Sequence, residues 1–350
     1  MKRMTVLVLL PALLLTGCPN KKPDGETPEA SRPVGAKRGS IKAGLVTDVG
    51  GIDDRSFNAS AWAGLQRAEK DLGAKIKFVE SRQSADYVPN LTRFAKEKYD
   101  VVFAVGAMMR DAVKEVAEKN PNTKFVLIDG EDISARNVVC YRFREEEGSF
   151  LVGALAAKMS KSGVLGFVGG QQMPLIEKFQ FGFQAGAQTV NPNVTVLVGY
   201  AGKFNDPARG QELAISQMNG RADVLYHAAG GTGVGVIKAV AAKGAGYWAI
   251  GVDRDQDGEA PGRVLTSMVK RVDRAVFDAA SKVASDDFER GEVVWGLKED
   301  GIALSEMKYT KKDIPEEAMK QLEDIKKQII DGKIAIPTTP RDYEDFATSK

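Results

Sequence analysis

Five residues with binding chemistry crowd a single turn of this chain. In the stretch GLVTDVGGIDDRSFNASAWAGL, from Gly44 to Leu65, a strand-like run gives way to Asp48, Asp53 and Asp54 and then to Phe57 and Asn58 at the entry of a helix. A carboxylate accepts hydrogen bonds from sugar hydroxyls, a phenyl ring offers its face to a flat heterocycle, and an asparagine amide both donates and accepts. Stacking a base on an aromatic side chain is worth on the order of 1–3 kcal/mol. A purely structural reading competes: Asp54 or Ser56 as a helix N-cap and Phe57 as a hydrophobic staple. Capping is the better reading for Asp54 or Ser56, whereas for Phe57 the two stand level.

Elsewhere the signals point away from catalysis. No G-x-S-x-G elbow is present, and the single histidine, His227, lies in an apolar run and reads as a buried structural residue. The glycines of GGTGVG (Gly230–Gly235) are not followed by Lys-Ser/Thr, so this is no phosphate loop of the Walker kind. It is either a tight turn or a place where backbone approaches a ligand closely. DRDQDG (Asp253–Gly258) imitates the start of a calcium loop, but Val264 stands where a bidentate Glu is needed, so a solvated acidic turn with one functional carboxylate is expected. One histidine and two cysteines, Cys18 and Cys140, leave no basis for a His/Cys metal site, and a net charge of +2 gives no bias toward nucleic acid. Neither an enzyme nor a resident metal or cofactor is expected.

The elements that must position these residues are legible as an alternation. Ten β-branched runs (41–46, 75–80, 101–105, 124–129, 137–142, 163–169, 194–200, 223–228, 247–252 and 264–269) suit strands buried on both faces. Helical stretches lie between them, one with Trp62, Leu65, Ala68 and Leu72 on a single face, others over 111–120 and 178–189. YDVVFAVGA resembles ADVLYHAAGG, and KFVLIDG resembles YWAIGVD, each at an offset of roughly 120 residues, which marks an internal duplication. The expectation is an α/β protein of two parallel-sheet βαβ domains joined by a hinge, with the turns at Asp48, Asp129, Gly169–Gly170, Gly230–Gly231 and Asp253 lining one cleft at the strands' carboxyl ends. After these, 315–330 reads as a helix, 331–337 as a turn with an extended segment, and 343–350 as a loose tail.

The N-terminus reads as an address. Lys2 and Arg3 precede a short apolar run, Met4–Leu15, as in a secretory signal. Leu15-Thr16-Gly17-Cys18 resembles a bacterial lipobox, which implies a signal peptide over 1–17, acylation of Cys18, and attachment to the extracytoplasmic face of a membrane. Residues 19–39 are rich in Pro, Gly, Lys and Glu, so 18–39 reads as a flexible tether. The expected lobes are 40–155 and 156–269, each with part of 270–350.

Five motifs in order, VTDVGGIDDRSFNASAWAGL, FVGGQQMPLIEKFQFGFQAG, YHAAGGTGVG, AIGVDRDQ and VLTSMVKRVDRAV, resemble the bacterial basic-membrane-protein (Bmp) family of substrate-binding lipoproteins, across essentially the whole folded body. The resemblance implies a type I periplasmic-binding fold, a purine nucleoside held unmodified in the cleft, and an ABC importer permease as partner. It also implies roles: Phe57 and Phe179 sandwiching the base, Asn58 and Asp129 at its polar edge, Asp253, Lys270 and Gly231 at the ribose, and Asp48 shaping the same wall. An ammonium beside a carboxylate suits a diol. Two departures bear on ligand choice: Arg254 where the family often has Ser, and the Gln171–Met173 turn. A sensor or receptor for another small solute, such as a sugar, a riboflavin-like compound or a signal molecule, is the competing expectation.

Overall fold

The computed structural model describes residues 40–348. The expected signal peptide, tether and Cys18 lie outside them. Each of the ten expected runs forms a strand: β1 (Lys42–Thr47), β2 (Lys75–Val79), β3 (Val101–Val105), β4 (Lys124–Ile128), β5 (Val138–Phe143), β6 (Val164–Gly169), β7 (Thr195–Tyr200), β8 (Val224–Ala228), β9 (Trp248–Asp253) and β10 (Val264–Lys270). Two short strands were not foreseen, β11 (Gly291–Trp295) and β12 (Ile302–Leu304). The helices are α1 (Phe57–Leu72), α2 (Tyr87–Lys96), α3 (Arg110–Lys119), α4 (Glu145–Met159), α5 (Pro174–Val190), α6 (Pro207–Asn219), α7 (Gly231–Lys243), α8 (Val272–Ala284), α9 (Glu316–Ile330) and α10 (Pro340–Thr348).

Two six-stranded sheets result, in the orders β2-β1-β3-β4-β5-β11 and β7-β6-β8-β9-β10-β12. The first is parallel throughout, and the second departs only at its edge, where β12 runs antiparallel to β10. The repeat seen in sequence is thus a repeat of topology. It extends to the backbone: Asp129 and Asp253 follow or end the equivalent strands β4 and β9, and both take a left-handed conformation, each with φ of 67°. That conformation is uncommon for a residue with a side chain. Both turns lie at the carboxyl end of their sheet.

The chain passes between the two sheets three times: from β5 into α4, from β10 into α8, and from β11 to β12. The first passage falls at Arg144, ahead of the 155/156 boundary expected from sequence. The reason is the packing of α4, which is buried along most of its length and lies tightly on α5. A Cβ on Gly153 would run into the Phe183 carbonyl, and one on Gly186 into that of Phe150. Helix axes approach this closely only through glycine. Gly186→Ala should therefore destabilise the protein by about 1–3 kcal/mol through overpacking. A lowered urea midpoint with an unchanged slope would register it, and an unchanged midpoint would contradict the close approach.

α9 buries Ala318, Leu322, Ile325 and Ile329, the face its sequence shows. Residues 331–337 form a turn, as expected, followed by chain that joins neither sheet. The expected loose tail is instead helical as far as Thr348. Asp342 accepts the backbone N–H of Thr338 and Thr339, Pro340 occupies the first turn, and Tyr343 stacks on Phe181 of α5 at 5.5 Å between centroids. A Thr-Thr-Pro-x-Asp start is a helix-entry signal, and that signal outweighs the polar composition.

Candidate ligand-binding site

The strand ends and helix starts of both sheets line a cavity. Seven of the eight residues expected to bind ligand line it: Asp48, Phe57, Asn58, Asp129, Phe179, Asp253 and Lys270. Gly231 does not. Its neighbour Gly230 lines the wall with φ of 55°, while Gly231 opens α7 and packs near Phe204 and Asp54. The other glycines of that run serve packing, Gly233 against His227 and Gly235 against the Pro207 carbonyl.

The opening turn divides its labour. Asp54 is the helix anchor: its carboxylate accepts the N–H groups of Ser56 (2.9 Å), Asn58 (2.9 Å) and Ala59 (3.0 Å), satisfying donors that a helix start leaves open. Burial pushes it up to about 7 despite those bonds. Ser56 is no cap. Its hydroxyl crosses the cleft and donates to Asp253 Oδ2 at 2.5 Å. Asp48 Oδ1 accepts from Gly50 N–H and from Asn58 Nδ2, each at 2.8 Å, so the Asn58 amide is held with its Oδ1 left without a hydrogen-bond partner among the described residues. Burial raises the Asp48 carboxyl above its ordinary value.

Lys270 stands at the centre. It is 2% exposed, and its Nζ lies 2.6 Å from Asp129 Oδ2, 3.5 Å from Glu145 Oε1 and 3.9 Å from Asp253 Oδ1. The same ammonium faces the rings of Phe57 at 4.8 Å, Phe143 at 5.4 Å and Phe179 at 5.5 Å. Burial works against its charge, but the three carboxylates outweigh burial and hold it above the ordinary lysine range. Burial raises Asp253, and Lys270 opposes that rise. Aromatic faces from both halves of the chain and a charged donor–acceptor set therefore meet in one enclosed space. This can recognise a solute that has both a flat apolar part and hydroxyl or amide edges.

Other contacts tie the halves together at the cavity rim. Gln256 Nε2 donates to the Arg55 carbonyl (3.1 Å), Arg55 pairs with Glu259 (2.6 Å), and Asn205 donates to the Val49 carbonyl (3.0 Å). The arrangement is that of a closed clamp. His227 is fully buried, its Nε2 3.0 Å from Gln256 Oε1, which also accepts the Val252 N–H. An amide oxygen can only accept, so the imidazole donates from Nε2, and burial lowers it to about 4. In the DRDQDG turn, Asp257 accepts from the Lys308 N–H (2.9 Å) and from Ser305 (3.3 Å), and so fixes the strand-to-strand return. Among the described residues no cluster of His, Cys, Asp or Glu could hold a metal ion.

Sequence reasoning missed several lining residues. Phe204 follows a strand end and stands against Gly170, where a Cβ would meet its ring. Its position after β7 was the available signal. Met108 carries no signal distinguishing it from core residues, whereas Met173 belongs to the Gln171–Met173 turn already singled out for ligand choice. Glu145, which reaches Lys270 without lining this cavity, is one of three consecutive glutamates that only the fold tells apart.

A family model for "ABC transporter substrate-binding protein PnrA-like" (Bmp) matches residues 41–340. The chain is 38% identical over 316 residues to a CD4+ T-cell-stimulating antigen of Listeria monocytogenes, covering 85% of this chain and 88% of that one. It is 33% identical over 355 residues to the ABC transporter nucleoside-binding protein BmpA of Lactococcus lactis, covering 96% and 98%. Its fold superposes on an ABC transporter solute-binding protein from Aeropyrum pernix with a TM-score of 0.81 at 29% identity, covering 87% and 96%. The two duplicated lobes, the cleft at their strand ends and these matches agree on a type I periplasmic-binding fold. Among the described residues no helix is long and apolar enough to cross a membrane. The chain belongs to the Bmp family, the PnrA-like substrate-binding proteins of ABC transporters, which are extracytoplasmic binding components and not enzymes.

Proposed function

We propose that this protein captures a purine nucleoside between its lobes and presents it to an ABC importer permease, while acylation of Cys18 anchors it to the membrane. The observation that carries the reading is the convergence of Phe57 and Phe179, from opposite lobes, on the cavity that also holds Asp129, Asp253 and Lys270. In this reading the rings stack on the base, Asn58 and Asp129 address its edge, and Asp253 with Lys270 holds the ribose diol, with Asp48 shaping the wall. The Asn58 Oδ1, without a hydrogen-bond partner among the described residues, supports a base-edge contact. The name of the Lactococcus relative supports the ligand class.

Calorimetry against nucleosides, free bases, riboflavin and pentoses is the test. Purine nucleosides should bind and be recovered intact. Binding of pentoses or riboflavin with no heat from any nucleoside would sink the reading. Asp253→Ala should weaken nucleoside binding roughly tenfold or more, the loss of one charge-assisted hydrogen bond of about 1.5–3 kcal/mol. Unchanged affinity would remove Asp253 from the site. Metabolic labelling with a fatty acid should mark the full chain and not a Cys18→Ser variant.

A further inference from the structure

Lys270, in the cavity wall, sets one ammonium against three carboxylates. Asp129, Glu145 and Asp253 each have an oxygen within 4 Å of Lys270 Nζ, and their side chains are 4%, 1% and 8% exposed. A second cation, Lys178 of α5, approaches Glu145 Oε2 at 3.7 Å but is 22% exposed. Excess negative charge in a buried site costs several kcal/mol per ion unless hydrogen bonds compensate it, so such a cluster retains a proton. The hydrogen bonds say where. Asp129 accepts from Lys270 at 2.6 Å, and Asp253 accepts from Ser56 at 2.5 Å. Glu145 has no hydrogen-bond partner at either oxygen among the described residues. Its carboxylate form is the least supported of the three.

We propose that Glu145 is a positioning residue of the capture site, sharing the Lys270 ammonium with Asp129 and carrying the cluster's exchangeable proton, so that capture is coupled to proton binding. The place in the fold supplies the coupling. Glu145 opens α4 just after the first passage between the lobes, and Lys270 ends β10 just before the second. Lobe opening must therefore alter what surrounds both groups. The groups facing Glu145 are Lys270 from β10, Asp129 beyond β4, Lys178 from α5, Glu146 on its own helix, Arg142 from β5 and the Tyr226 hydroxyl from β8. Burial raises Glu145 to about 7, with Lys270 opposing. Its raised value belongs to the closed form, so closure is favoured at low pH, and that contribution is lost as pH rises from the ordinary carboxylate range through about 7.

The proposal rests on the capture-site reading, and its test separates the two. Affinity is measured by calorimetry for whichever member of the solute panel binds. Between about pH 5.5 and about pH 7.5 the wild-type affinity should fall about tenfold. Glu145→Gln, which imitates the protonated acid, should lose that slope and at the higher pH bind more tightly than wild type. Glu145→Ala, which releases Lys270, should bind more weakly at every pH. An unchanged slope in Glu145→Gln, or equal weakening in both variants with the slope kept, would overturn the proposal. If no solute binds, the capture reading fails first. The carboxyl carbons of ¹³C-glutamate in protein held closed by a chemical crosslink between Arg55→Cys and Glu259→Cys then decide: a signal titrating near neutrality that Glu145→Gln removes sustains the proposal, and a Glu145 signal in the ordinary carboxylate range overturns it.

Discussion

Replacing Lys270 with methionine should lower folding stability by about 3–5 kcal/mol near neutral pH, the cost of leaving buried carboxylates without their cation. The side chain is 2% exposed, so solvent does little to screen the loss. Methionine fills a similar length and keeps contact with Phe57, Phe143 and Phe179, so lost packing contributes little. The pH dependence identifies the cause. Without the ammonium, which opposes the rise that burial imposes on both, Glu145 and Asp253 take up protons more readily in the folded protein than in the unfolded chain. The variant therefore regains stability as pH falls toward the ordinary carboxylate range, and the gap to wild type narrows. Urea midpoints at neutral and mildly acidic pH would measure this. A loss of the same size at both, or one below about 1 kcal/mol, would mean that Lys270 does not hold the cluster together.

The two aromatic plates should respond unequally to alanine. Phe57 is half-buried at the start of α1, whereas Phe179 is 2% exposed in the middle of α5. Under the proposed function, Phe57→Ala should weaken nucleoside binding by about 1–3 kcal/mol, roughly 5- to 150-fold, with little change in melting temperature. Phe179→Ala should weaken binding comparably and also destabilise the fold by about 3–5 kcal/mol, because it leaves a cavity in the core. Calorimetry paired with thermal unfolding distinguishes them. A Phe57→Ala variant that binds as wild type but melts much lower would return Phe57 to the role of a hydrophobic staple.

Much of this was legible in the sequence because buried parallel strands announce themselves. Runs such as VVFAV and KFVLI allow few other readings, and the repeat of such runs carried the topology. β12 has three residues, and β11 is a partly exposed edge, so neither had a burial pattern to read. The passage at Arg144 was hidden because α4 is apolar nearly all round, and its composition does not say which sheet it will cover. In the site, the acids at strand ends could be found from position alone. The division between Asp54 and Ser56 could not, since both residue types cap helices and only geometry sends the Ser56 hydroxyl across to Asp253. The resemblance to the family's motifs, rather than physics, paired Phe57 with Phe179. Glu145 had no such guide, and its neighbours Glu146 and Glu147 look identical to it in sequence.

The threefold passage of the chain has a consequence for dissection. β11 completes the first sheet alongside β5, yet it follows every strand of the second sheet except β12. A fragment ending after Phe143 would expose the β5 edge, an unpaired template of the kind that recruits other chains into aggregates. It would also lack α8, which covers α1. A fragment beginning at Glu145 would carry β11 and α8 with nothing to receive them. No single cut yields two self-sufficient halves, and a soluble first lobe would have to be stitched from 40–143 and 272–295 by a new linker.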